Sequence, residues 1–128
     1  MSIFNIFRKL FYTRKFVSSE TCVLIKRDWQ NISSMLKGGS PSQMRQALIS
    51  ADKTMDAALK DLVSGSGMGE RLKYAKNLFS PDTYDKIWKA HKVRNNLVHE
   101  AGYEPTYFVL KSSIEDLKRG LIELKVNL

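Results

Sequence analysis

Residues 40–63 read SPSQMRQALISADKTMDAALKDLV. Met44, Ala47, Leu48, Ala51, Met55, Ala58, Leu59 and Leu62 recur at spacings of three and four. That period keeps one face of a helix apolar for about six turns. A half-buried strand would alternate with period two, and this stretch does not. The ends are marked as well as the face. Ser40 is suited to cap the helix, and Pro41 stands at the first helical position, where its missing N–H leaves no bond unmade. The run SGSGMG at 64–69 ends it. A long helix with a single apolar stripe has to bury that stripe against other elements.

The flanking sequence supplies those elements. Upstream, KGGSPS at 37–42 is a breaker, and before it the spacing predicts a helix over 20–36 with Ser19 as N-cap. Its stripe is Cys22, Ile25, Trp29, Ile32 and Leu36. Downstream, a short helix over 70–79 turns Leu72, Ala75 and Leu78 inward. Ser80-Pro81-Asp82 then starts a helix over 81–99, which Gly102 and Pro105 stop. The last helix, over 106–126, carries Tyr107, Leu110, Ile114, Leu117, Leu121 and Leu124. The expected fold is all-α: an up-and-down bundle of four main helices, a short extra helix and an N-terminal amphipathic helix.

That N-terminal helix is read from MSIFNIFRKLFYTRKF at 1–16, where Ile3, Phe4, Phe7, Leu10 and Phe11 make a stripe beside Arg8, Lys9, Arg14 and Lys15. The charges interrupt the apolar part and no small-residue cleavage site follows, so it does not read as a signal peptide. Residues 1–18 form a basic amphipathic segment and residues 19–128 the bundle domain. The segment suits either packing on protein, which is favoured because its phenylalanines would cap a small core, or a peripheral membrane contact through residues 1–17.

The chain has 128 residues, enough for one core, and 43% of them are hydrophobic, as in a globular rather than a disordered protein. The net charge is +8. Residues 1–37 and 71–99 each hold seven basic and two acidic side chains, so the excess is concentrated, which points to a polyanionic partner. With one cysteine, Cys22, no intramolecular disulfide can form, and a cytoplasmic setting is expected. One Cys and two His are too few for an ordinary structural zinc site, so neither metal nor cofactor is expected. No apolar run reaches the roughly 18–20 residues that span a bilayer. Gly65, Gly67 and Gly69 look like a phosphate-cradling loop, but no strand precedes them, and they are read as a connection between helices.

Both histidines lie in KAHKVRNNLVHE at 89–100. At about 100° per residue, Tyr84, Ile87, Trp88, His91, Asn95 and Val98 share one face, with Arg94 and His99 on its two flanks about 140° apart. Ala90, Val93 and Leu97 make a second, narrower strip, so two faces are expected to be buried. An arginine can hold a phosphate through two bonds, and a histidine can take and give a proton near neutral pH. Asparagine adds a neutral donor and acceptor. That set suits proton transfer beside a phosphate.

Arg94-Asn95-Asn96-Leu97-Val98-His99 resembles the signature of the HEPN superfamily: an arginine, a polar residue, and a histidine after four to six intervening residues, near the end of a helix in an all-α bundle. The motif covers six residues, and the helical frame over about 20–126 is similar in kind. The resemblance implies a metal-independent endoribonuclease, of toxin or defence type, that works as a homodimer through the motif helix. It implies that Arg94, Asn95 and His99 are catalytic. His99 would act as general acid or base, Arg94 would hold the scissile phosphate, and Asn95 would position them. The products would be a 2′,3′-cyclic phosphate and a 5′-hydroxyl. RNA would run along Lys86, Lys89 and Lys92. Many toxin members have a tyrosine two residues after the histidine, the target of a nucleotidyltransferase partner. Here that position is Ala101, so the expectation of an antitoxin or nucleotidyltransferase partner lacks that residue. Some HEPN-like domains bind RNA or protein without catalysis, and that is the alternative reading.

Overall fold

Five helices follow one another in the computed structural model, which describes residues 13–128: α1 (Ser19–Gly38), α2 (Pro41–Leu62), α3 (Met68–Tyr74), α4 (Pro81–His99) and α5 (Tyr107–Glu123). A 3-10 turn at Lys76–Leu78 separates α3 from α4. The expected N-terminal stripe, Ile3 to Phe11, lies outside the described residues, and residues 13–17 are not helical.

The helix ends form as side-chain chemistry dictates. Ser40 and Gln43 make a reciprocal capping box at the start of α2, each bond 3.1 Å long. Ser80 and Thr106 cap α4 and α5. At α1 the cap is Ser18 and not Ser19, because Ser18 is also anchored: its N–H and hydroxyl reach Asp61 Oδ2 at 3.0 and 2.9 Å. The helix runs to Gly38, beyond the expected Leu36, and is closed by Gly39 at φ +69°, whose N–H bonds the Met35 carbonyl. α5 stops short of 126. Lys125 takes φ +69° and the Val126 N–H returns to the Leu121 carbonyl at 3.0 Å, a Schellman closure that brings Val126 into the core.

α2 packs on α1 and α5, and less extensively on α3 and α4; α4 packs chiefly on α5. Every residue of the α2 stripe is buried, as are Ile25, Trp29 and Ile32 of α1 and Leu110, Ile114, Leu117, Leu121 and Leu124 of the last segment. Each fully buried Leu or Met side chain contributes roughly 1.5–3 kcal/mol. Tyr107, expected inward, is exposed: it opens α5 and borders a surface hollow shared with Gly39, Pro41 and Arg45 instead of the core. Cys22 and Leu36 are only partly buried. At Gly120 a Cβ would come within 2.5 Å of Ile87 Cδ1 and 2.7 Å of Met55 Cε, so its missing side chain is what lets α2, α4 and α5 meet.

The polar residues of α2 each hold a different neighbour. Thr54 accepts the Trp29 indole N–H at 3.0 Å. Asp56 takes Arg71 Nε and Nη2 at 2.8 and 3.0 Å, and Arg71 Nη1 donates to the Gly65 carbonyl at 2.8 Å, which pins the glycine-rich connection. Asp61 holds Ser18. Burial works against the charge on Asp61, but the Ser18 N–H and the Ser18 and Thr21 hydroxyls keep its carboxyl below the ordinary aspartate range. Glu123 does the same for α4. It accepts from the Ser80 N–H at 2.8 Å and from the Ser80 and Thr83 hydroxyls, and despite partial burial these donors lower its pKa.

These ties fix the directions. Ser18 beside Asp61, and Ser80 beside Glu123, place the starts of α1 and α4 next to the ends of α2 and α5. We call this the lower end. The upper end gathers the turn at Gly39, the start of α2, the end of α4 and the connection 100–106. Among the described residues no helix is long and apolar enough to cross a membrane.

Candidate functional site

α4 buries one broad face, not two. Thr83, Tyr84, Ile87, Ala90 and His91 are buried, and Arg94 continues their line upward. Trp88 and Asn95 sit at one margin; Val93 and Leu97 sit at the other, each partly buried. Arg94, expected on a flank, therefore stands near the middle of the packed face, its side chain 31% exposed. The reason is across the interface: α2 presents Asp52, which is 2% exposed, to this part of α4.

A buried carboxylate needs partners, and Asp52 has two. His91 Nδ1 lies 3.1 Å from both of its oxygens, and Arg94 Nε lies 3.6 Å from Oδ2. Arg94 Nη1 donates to Asn95 Oδ1 at 3.0 Å, and Asn95 Nδ2 faces His91 Nε2 at 3.4 Å. One set of roles satisfies all of these. With its oxygen on arginine, Asn95 turns its amide N–H toward histidine, so Nε2 accepts and Nδ1 carries the proton given to Asp52. The four side chains close a ring from Arg94 through Asn95 and His91 to Asp52 and back. The last step is charge attraction only, since Arg94 Nε is buried and makes no hydrogen bond. The Trp88 ring stands edge-on to His91, with centroids 6.1 Å apart.

The ring fixes the arginine. Of its five N–H donors, one goes to Asn95 and one faces Asp52, and the other three have no hydrogen-bond acceptor among the described residues. Arg94 is thus held by its inner edge with its outer edge free for an anion.

His99 is elsewhere. It is the last residue of α4, exposed, at the rim of a shallow hollow of about 490 Å³ lined also by Arg45, Leu97 and residues 100–104. Five positions separate it from Arg94, or about 140° of helix, so one copy of α4 does not point both into one site. His99 instead ends an outward strip. Lys89, Lys92, Asn96 and His99 fall within about 80° of arc, and all but the partly buried Asn96 are exposed. Lys86 is off that strip, half-buried, and paired with Asp82 at 3.1 Å.

Of the sequence-identified residues, the structure brings Arg94 and Asn95 together and sets His99 apart. Asp52 and His91 were not singled out as site residues. The signal was present: Asp52 interrupts the stripe between Leu48 and Met55, and a carboxylate there must meet a donor from a facing helix. Among the described residues no group of three or more His, Cys, Asp or Glu side chains is placed to hold a metal ion. No family model, curated protein or solved structure matches this chain.

Proposed function

We propose that this protein is a metal-independent endoribonuclease of HEPN type, acting as a homodimer in which α4 faces its symmetry mate. One observation carries the reading: a single helix presents a fixed arginine on one side and, on another, a strip of two lysines leading to a solvent-facing histidine. RNA phosphates would follow Lys89 and Lys92 toward His99, about 10 Å further along the helix. His99 of one subunit would take the proton of a ribose 2′-hydroxyl. The freed oxygen would attack the adjacent phosphorus, and the bond to the 5′-oxygen would break as that oxygen takes a proton from water, the proton on His99 returning to solvent. Arg94 of the other subunit, oriented by Asp52 and Asn95, would hold the charge that develops on the phosphoryl oxygens. The two subunits are required because the two side chains diverge on their own helix.

The test is cleavage of RNA by the purified protein in EDTA, beside Arg94→Ala and His99→Ala. Cleavage by the parent alone, with cyclic-phosphate ends read by mass spectrometry, supports the reading. Cleavage by all three proteins refutes it. One feature favours a second reading, an RNA- or protein-binding module without catalysis: the charge of Arg94 is already met by Asp52. On that reading RNA binding survives His99→Ala and nothing is cut.

A further inference from the structure

The lower end of the bundle carries a surface that the nuclease reading does not use. Residues 13–18 cross the end of α2, held by the Thr13 N–H on the Leu62 carbonyl at 2.9 Å and by Ser18 on Asp61. This strap leaves Phe16 59% exposed, and the first two turns of α1 hold Val23 and Leu24 outward at 65% and 50%. Large apolar side chains this exposed, and this close in the chain, mark a contact surface more than scatter. Basic residues stand among them. Arg14, Lys15, Lys26 and Arg27 are all exposed, and Lys15 Nζ lies 5.6 Å from the centre of the Phe16 ring. On α1, Arg27 falls in the arc between Val23 and Leu24. Of the three acids nearby, Asp28 is engaged by Arg27 at 3.3 Å, Asp61 is taken up by Ser18 with Arg14 close enough to act on its charge, and Glu20 stands at the start of α1.

The chain leading into the strap has the same chemistry. Residues 1–12 include Ile3, Phe4, Phe7, Leu10 and Phe11, with Arg8 and Lys9 and no acid. The mixture selects among partners. Nucleic acid would use the lysines and arginines and leave Val23 and Leu24 in water. A second apolar protein face would bury the aliphatics but strand the charges. The interface of an anionic bilayer takes both: side chains such as Phe, Val and Leu enter the acyl boundary while Lys and Arg meet the headgroups.

We propose that the lower end of the bundle, residues 13–27, seats this protein on an anionic lipid bilayer. The 22 residues of α2 run about 33 Å from that end to the other. His99 and the hollow beside it would then face away from the membrane, open to solvent. The proposal stands independently of the nuclease reading.

The experiment is co-sedimentation of the 128-residue chain with vesicles of phosphatidylcholine alone and of phosphatidylcholine with phosphatidylserine. Binding is expected to the anionic vesicles and to fall with added salt. Lys15→Gln with Lys26→Gln is expected to lower the partition coefficient roughly 25-fold. Phe16→Ser, Val23→Ser and Leu24→Ser together are expected to lower it at least roughly tenfold. All five side chains are exposed, so both variants should keep the helical circular dichroism of the parent. Failure to bind anionic vesicles, or binding that the triple variant leaves unchanged, overturns the proposal.

Discussion

Replacing Asp52 with alanine removes the acceptor at the centre of the ring. His91 loses a charge-assisted hydrogen bond, which is worth about 1.5–3 kcal/mol. Arg94 loses its counter-charge. Breaking a fully buried pair in this way costs about 3–5 kcal/mol, but Arg94 keeps 31% of its side-chain surface in water and recovers part of that. The two effects overlap, since one carboxylate serves both partners, and the expected loss is about 2–4 kcal/mol. At roughly 4 °C per kcal/mol for a chain of this size, the melting temperature should fall by about 8–16 °C. The assay is urea unfolding followed by circular dichroism, with Asp52→Ala, His91→Ala and the double variant. Because the residues act as a unit, the double variant should fall short of the summed single losses by about 1 kcal/mol or more. Single losses that add within about 0.5 kcal/mol would show that the ring is not a cooperative unit.

Other outcomes follow from the same structure. Gly120→Ala should destabilise by about 1–3 kcal/mol, because the added methyl must displace Ile87 and Met55; a neutral result in the same unfolding assay would mean that α4 and α5 can separate there freely. Asp61 and Glu123 have pKa values lowered in the folded state, so the stability they add is complete above the unfolded carboxylate range and is lost as pH falls through their folded values. Asp61→Asn and Glu123→Gln should therefore flatten the decline in stability below about pH 4, and an unchanged acid limb would contradict the assignment. If RNA follows the outward strip of α4, Lys89→Gln with Lys92→Gln should lower the slope of log K against log salt by about 1.5, while Lys86→Gln, already paired with Asp82, should change it little.

Most of the architecture was legible because it rests on burial, and burial leaves a period in the sequence. The stripe from Met44 to Leu62 and the Leu110–Leu124 series pack as their spacing requires. The caps at Ser40 and Ser80 were legible because capping is local chemistry. What could not be read was set by distant partners. Ser18 displaces Ser19 as a cap because Asp61, 43 positions away, holds it. Arg94 lies in the packed face of α4 and not on its flank because Asp52, on another helix, offers it a charge. Periodicity scores Asp52 as a polar break in a stripe; only the fold reveals that the break faces a histidine and an arginine. The motif from Arg94 to His99 could be read as a pattern, and so could the divergence of its two ends by helix angle; that one end is bound inward by Asp52 while the other lies open could not.

On the proposed function, a composite site takes Arg94 from one subunit and His99 from another. Mixing the Arg94 and His99 variants tests this. Arg94→Ala and His99→Ala proteins, unfolded together in equal amounts and refolded, should form mixed dimers in half of the population, each with one intact pair. RNA cleavage should return to about a quarter of the parent rate, with cyclic-phosphate ends. A parent protein that cuts, with a mixture that stays as inactive as its components, would contradict the account.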